Sequence, residues 1–130
     1  MKTTSGQWTI LYGVTFINVL VSAGYAIVGV VAPQSILPKS AVPNDASTVF
    51  ALYAAARAIP LMILVIYSVL TKSKRAIIAL GALAGFIQFF DGFVGIYQHN
   101  IVKIAGPFFL SLLQLAALFW VWKKDEFVIK

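Results

Sequence analysis

The chain contains no cysteine and only one histidine, His99. Disulfides, thiol chemistry and thiolate metal sites are therefore excluded. Zinc or haem ligation is not expected either, because such sites draw on several soft or nitrogen ligands. Charged residues are also scarce, since they make up 11% of the chain, whereas a soluble domain carries about 25%. With 61% hydrophobic residues, the chain cannot cover a surface for water, and we expect an integral membrane protein.

The few charges that are present are mostly of one sign, and the net charge is +6. The basic residues cluster at the ends of apolar runs rather than on one surface, so a nucleic-acid partner is not expected. A basic excess beside hydrophobic spans instead matches attraction to anionic lipid headgroups. The sequence therefore predicts the lipid bilayer as the main partner.

Four apolar runs cover residues 8–31, 47–70, 76–97 and 101–122. Each is close to the ~20 residues that cross ~30 Å of hydrocarbon. They must be helices, because a lone strand in lipid would leave its backbone unpaired. In the fourth run, Asn100 is a candidate helix cap, and Gly106-Pro107 predicts a bend inside one long helix. We expect an all-α fold, in which residues 1–130 form one transmembrane domain, an up-down-up-down four-helix bundle.

The lysines and arginines outside these runs are distributed unequally between the two sides of the bundle. Seven lie on the side of the termini and the second connection: Lys2, Lys72, Lys74, Arg75, Lys123, Lys124 and Lys130. The opposite side has Lys39 and Lys103. This bias predicts a multi-pass protein of the cell membrane with both termini in the cytoplasm. Trp8, Trp120 and Trp122 fall at the same boundary, where an aromatic belt is expected.

The third run carries its small and polar residues on one helical face. They are Gly81, Ala84, Gly85, Gln88, Asp91, Gly92, Gly95 and Gln98. Small residues permit close approach of helices in lipid, where polar side chains hydrogen-bond between neighbours. The glycines on this face are therefore predicted to pack against another helix.

Arg57 and Asp91 are the only Arg, Lys, Asp or Glu residues well inside the predicted spans. A charge at the bilayer centre costs at least ~2.5–3.5 kcal/mol, so such residues face the interior and find partners. The predicted depths of the two residues let the arginine reach the carboxylate, and we expect a buried Arg57–Asp91 pair in the outer half of the bundle. Pro60 removes the amide that would bond the carbonyl of Ala56, which frees an acceptor nearby.

Further polar groups are predicted around this pair. The candidate ligand-binding residues are Gln88, Gln98, Asn18, Tyr53 and Gln114. If the protein is an enzyme, Asp91 is the candidate general acid or base, with Arg57 beside it. The corresponding reactions are an isomerisation, a hydration or a cyclisation, which require neither a metal nor a cofactor.

Three hypotheses for the function stay open at this stage. In the first, the site binds a lipophilic small molecule with a polar head, with or without catalysis. In the second, the Arg57–Asp91 pair is only a clasp between helices, and the protein is an accessory or assembly subunit without a ligand. In the third, the pair belongs to a proton or ion path of a transporter. Such a transporter is expected to be a homodimer, because four helices enclose little volume.

The stretch from Ala55 to Lys124 resembles the DoxX-like group of small four-helix bacterial membrane proteins. These proteins carry an arginine early in helix two, a basic turn before helix three and a polar Gln/Asp pair within helix three. The matching elements here are Arg57, Lys74-Arg75, Gln88 and Asp91. The resemblance implies the four-helix fold and assigns no reaction. The small multidrug exporters share this length and helix count but depend on a glutamate in the first helix, where this chain has Asn18 and no acid.

Overall fold

The computed structural model describes residues 5–124, which form four long α-helices and one short 3₁₀ turn. The long helices are α1 (Ser5–Val31), α2 (Asp45–Leu70), α3 (Lys74–Tyr97) and α4 (Ile101–Lys124). At ~1.5 Å per residue, each is at least about 36 Å long, which exceeds the ~30 Å hydrocarbon core. All four are long and apolar enough to cross a membrane. The predicted all-α four-helix bundle is confirmed, and its helices extend up to three residues beyond the predicted bounds.

Successive helices are antiparallel, so the bundle has two distinct ends. The end that holds residue 5, residue 124 and the turn at 71–73 is called the termini end. The end that holds the connection at 32–44 and the turn at 98–100 is called the loop end. The closest packing is between α1 and α2 and between α3 and α4, while α1 also contacts α3 and α4. The α2–α3 seam is the least closely packed contact between neighbouring helices.

Polar residues at the helix starts satisfy backbone amides that have no partner inside the helix. At the start of α2, the Asn44 side chain accepts from the Ser47 amide, and the Ser47 hydroxyl accepts from the Asn44 amide, both at 2.9 Å. At the start of α4, Asn100 Oδ1 accepts from the Lys103 amide at 3.1 Å, which confirms the predicted cap. Ser73 precedes α3 without a capping side-chain bond. Pro107 lies inside α4, which continues through it as predicted.

The turns after α2 and α3 share one geometry, in which a residue other than glycine has a left-handed backbone. Lys72 and His99 each have a φ of 51°. In each turn, the left-handed residue and the one after it donate their amides back to the helix: Lys72 to Val69 and Ser73 to Ser68, His99 to Ile96 and Asn100 to Gly95. This is the Schellman motif, in which glycine is the usual left-handed residue.

The buried core contains both apolar and polar side chains, whereas many of the large apolar residues lie on the outer surface of the bundle. The most deeply buried apolar side chains are Leu11, Val19, Val65, Ile77 and Val121. Phe90 is 65% exposed and Leu112 is 68% exposed on the outside. Large exposed apolar areas are rare on soluble monomers and mark interaction with another protein or with lipid. The multi-pass membrane interpretation therefore agrees with the side-chain distribution.

The three tryptophans do not form one belt. Trp8 is only 6% exposed and packs in the core. The amine of Lys74 lies 4.7 Å from the centroid of its ring. Trp120 and Trp122 lie on the outer surface near the termini end. The belt prediction is therefore wrong for Trp8, because α1 turns that side chain toward the other helices.

Candidate functional site

The glycine face of α3 lets α4 approach closely along the loop-end half of the bundle. A Cβ atom at Gly92 would lie 2.7 Å from ring atoms of Phe108. A Cβ atom at Gly95 would overlap the backbone carbonyl of Lys103 and lie 2.7 Å from the amide nitrogen of Ile104. The predicted packing role of these glycines is confirmed. This contact holds the first turns of α4 against the last turns of α3, where the site is built.

A cavity of about 790 Å³ lies toward the loop end, beside the α2–α3 seam. Some of the residues within 21–26 of α1, 51–61 of α2, 83–98 of α3 and 102–110 of α4 line it, together with Ile36 of the connection. The volume lies within the ~300–1,000 Å³ typical of small-molecule pockets. Most lining side chains are apolar, so the few polar ones stand out.

The cavity opens to the outer surface of the bundle between α2 and α3. Arg57 on α2 and Asp91 on α3 both line it and are also exposed. Phe86 and Phe90 line it on the α3 side, and each is more than half exposed. In a membrane, lipid chains would cover this surface of the bundle.

Four of the predicted site residues line the cavity: Arg57, Gln88, Asp91 and Gln98. Gln88 Nε2 donates to Ser22 Oγ at 3.0 Å, which joins α3 to α1. The Gln98 amide oxygen accepts from Lys103 Nζ at 2.7 Å. The spacing of these residues along α3 therefore identified one wall of the cavity correctly.

Lys103 lines the cavity but was not among the predicted site residues. The charge pattern of the sequence placed it only on the outer side of the membrane. Its partly buried amine donates to Gln98 and also to the backbone carbonyl of Ile36. These bonds tie the loop connection to the end of α3. Helical spacing could have identified Lys103 as a site residue, because Lys103, Pro107 and Leu110 recur at steps of four and three. All three line the cavity.

The predicted Arg57–Asp91 pair is not formed, and no salt bridge joins these two residues in the part of the chain that the structure describes. Arg57 lies twelve residues after Asp45, the first residue of α2, or about 18 Å from its loop end at ~1.5 Å per residue. Asp91 lies six residues before Tyr97, about 9 Å from the loop end of α3. The cavity lies between the two helices, and the Arg57 guanidinium instead lies 6.0 Å from the Tyr53 ring centroid.

Pro60 and Ala56 do not contribute to the cavity. Both are exposed on the outer surface of α2 and neither lines the site. The expectation that a carbonyl freed by Pro60 joins the polar site is therefore wrong. Tyr53 is likewise exposed and lies outside the lining, although its ring packs beneath Arg57.

Asn18 and Gln114 form a second polar cluster, separate from the cavity. Both side chains are fully buried. Gln114 Nε2 donates to Thr15 Oγ1 at 2.8 Å, and Asn18 Nδ2 lies 3.4 Å from Gln114 Oε1. A Cβ atom at Gly81 would lie 2.7 Å from Gln114 Nε2, so this cluster fills its space tightly. Neither predicted residue lines the cavity, and their bonds hold α1 against α4.

The cavity combines a mostly apolar lining with a few polar and charged side chains. Asp91 is the one carboxylate in the lining. Within residues 5–124, no group of three or more His, Cys, Asp or Glu side chains converges to hold a metal ion.

Comparisons with protein-family models, with curated proteins and with solved structures found no match to this chain. The resemblance to DoxX-like proteins stays a prediction that rests on the sequence pattern alone.

Proposed function

We propose that the protein binds a lipophilic small molecule with a polar head in the loop-end cavity. The observation that carries this proposal is the cavity of about 790 Å³, whose apolar lining contains Arg57, Gln88, Asp91 and Gln98. Pockets of this size and composition are the usual binding sites of small ligands. With the termini in the cytoplasm, as the charge bias predicts, the cavity lies in the outer half of the membrane, and the ligand enters from the bilayer between α2 and α3.

The absence of an Arg57–Asp91 salt bridge among the described residues favours a ligand site over a helix clasp. A clasp would use each charge to neutralise the other, whereas here both side chains are available at the cavity wall. Charged groups at membrane depth are costly and usually serve transport, catalysis or binding. Gln88 and Gln98 add hydrogen-bonding capacity beside them.

Filling the cavity should abolish ligand binding while leaving the bundle folded. Ala58 lines the cavity and Ala56, on the same helix, does not. We expect some members of a lipid and terpenoid panel to raise the melting temperature of the wild-type protein in maltoside detergent. At a ligand concentration of 100 Kd the stabilisation is about 2.7 kcal/mol. Ala58→Phe should lose this response.

Ala56→Phe is the matched control, because it adds the same ring to the outer surface of α2 and should respond as wild type does. The proposal fails if no compound stabilises the wild-type protein. It also fails if folded Ala58→Phe responds as strongly as Ala56→Phe. An accessory subunit without a ligand would then be the better hypothesis.

A second candidate function is cofactor-independent catalysis by Asp91. It is favoured because the carboxylate lines the cavity and is not held in a salt bridge by Arg57. General acid–base catalysis requires such a group within reach of the bound substrate. Asp91→Asn should then abolish conversion of the stabilising compound to an isomer, hydrate or cyclised product, as followed by mass spectrometry and chromatography. If wild type returns every stabilising compound unchanged, catalysis is excluded and binding alone remains.

A further inference from the structure

The cavity carries an excess of positive charge. Its three formally charged lining residues come from three different helices, Arg57 from α2, Asp91 from α3 and Lys103 from α4. Two of them are cations and one is an acid. The site is therefore formally +1 when Asp91 is ionised and +2 when it is protonated. It is positive in either state.

Within residues 5–124, no salt bridge neutralises either of the two cations, and the single carboxylate of the lining cannot offset both. The Lys103 amine donates to the Ile36 carbonyl and to the Gln98 amide oxygen, and both are neutral acceptors. The Arg57 guanidinium lies near the Tyr53 ring, which is also neutral. An ammonium group has three donors and a guanidinium has five, so each cation retains donors for a further partner. Uncompensated charge beside hydrocarbon is expensive, which favours a partner that brings a negative charge.

Each cation approaches the cavity from a different wall, and the rest of the lining is apolar. Lys103 is the third residue of α4, at the loop end, and Arg57 lies near the middle of α2. Arg57 follows Tyr53 by one turn, and helical side chains tilt toward the helix N-terminus, which is the loop end for α2. Lys103 therefore favours negative charge at the loop end of the cavity, and Arg57 favours it closer to the middle of the bundle. Leu61, Leu83 and Leu110 contribute apolar lining.

We propose that the ligand of this cavity is a single-chain amphiphile with an anionic headgroup, a carboxylate or a phosphate. This proposal rests on the proposed function of the same cavity. The headgroup binds between Lys103 and Arg57, and the apolar chain follows the leucine-lined part of the cavity. A singly charged headgroup brings the site to neutrality when Asp91 is ionised. A neutral headgroup leaves the net positive charge of the site unchanged, and an ammonium headgroup increases it.

Four amphiphiles that share one alkyl chain test the headgroup charge directly: oleic acid, oleyl phosphate, oleyl alcohol and oleylamine. Apparent affinities are measured by thermal-shift titration of the protein in maltoside, and native mass spectrometry reports the bound species. The acid and the phosphate should bind at least about tenfold more tightly than the alcohol, which corresponds to about 1.4 kcal/mol. The amine should bind most weakly. The order of acid and phosphate distinguishes a fatty-acid-like ligand from a phosphorylated lipid.

Arg57→Gln and Lys103→Gln should each remove most of the preference for anions over the alcohol. Lys103→Gln also removes the lysine's bond to the loop connection and can loosen that connection. Arg57→Lys and Lys103→Arg keep the positive charge and should retain the preference for anions. These two variants therefore separate an electrostatic role from a structural one. Lys39→Gln is the control for net charge, because Lys39 is exposed in the loop connection and lies outside the cavity.

Two kinds of result would overturn the proposal. If the acid, the phosphate and the alcohol bind equally, the anionic class is wrong, although the cavity still binds a lipophilic ligand. The anionic class is also wrong if Lys39→Gln reduces the preference as much as the two cavity variants do. If all four amphiphiles and the wider panel fail to stabilise the wild-type protein, the proposed function itself fails.

Discussion

At the scale of single residues, the glycines fall into two groups that composition alone does not distinguish. Gly95 faces the Lys103 backbone, whereas a Cβ atom at Gly24 would have nothing within 4 Å. We expect Gly95→Ala to destabilise the bundle by about 1–3 kcal/mol, because a backbone contact cannot move aside as a side chain can. Gly24→Ala should be neutral or stabilising by up to about 1 kcal/mol, because alanine is the better helix former. Thermal unfolding in detergent measures the stability of both variants. Equal changes in stability for Gly95→Ala and Gly24→Ala would contradict the described α3–α4 contact.

A second prediction at this scale concerns Arg57 and Asp91, the two charged residues well inside the membrane-spanning helices. Arg57→Gln and Asp91→Asn should change stability additively, within about 0.5 kcal/mol, because residues without direct contact rarely couple. The measurement is a double-mutant cycle of melting temperatures in detergent without added amphiphile. A double mutant that loses much less than the sum would show that the two side chains do meet.

The residues of the site were only partly predictable from the sequence. Helical spacing correctly placed Gln88, Asp91 and Gln98 on one wall, because a repeat of three and four residues fixes a face whatever the neighbours are. The expected pairing of Arg57 with Asp91 depended instead on the distance between α2 and α3. That distance is set by how all four helices pack, and a cavity separates the two helices.

At the scale of helices, the turn after α3 is strained at one position. His99 has a left-handed backbone, which costs an L-amino acid roughly 1–2 kcal/mol. His99→Gly should keep the melting temperature or raise it, since glycine adopts this conformation without steric cost. His99→Val should lower it, because β-branched side chains tolerate positive φ least. If Val is accommodated as well as Gly is, the Schellman geometry of this turn is not formed in solution.

Helix existence and helix ends followed from local signals, which explains why the sequence predicted them well. Apolar runs of sufficient length determine the helices in lipid. Asn100 caps α4 through a bond within its own first turn, at a distance of three residues. The burial of Trp8 was not predictable in this way, because it depends on which face of α1 the other helices cover.

At the scale of the whole molecule, the orientation in the membrane is a prediction from charge. The turn at Thr71–Arg75 should be cytoplasmic and the loop connection should be outside, because lysine and arginine are enriched on the first side. The native chain has no cysteine, so Ser73→Cys and Ser40→Cys each provide a single reactive thiol. In intact cells, an impermeant maleimide should label Ser40→Cys, and Ser73→Cys only after permeabilisation. Labelling of Ser73→Cys from outside would reverse the topology.

The cavity lies beside the seam between two helical hairpins, α1–α2 and α3–α4, and this makes it a property of their assembly. Arg57 belongs to the first hairpin, and Asp91 and Lys103 belong to the second. Neither half of the chain alone therefore contains the site. A molecule bound there contacts both halves across the contact that holds them least tightly. Ligand binding would therefore stabilise the association of the two hairpins without a covalent bond. The size of this stabilisation would depend on the ligand concentration in the membrane.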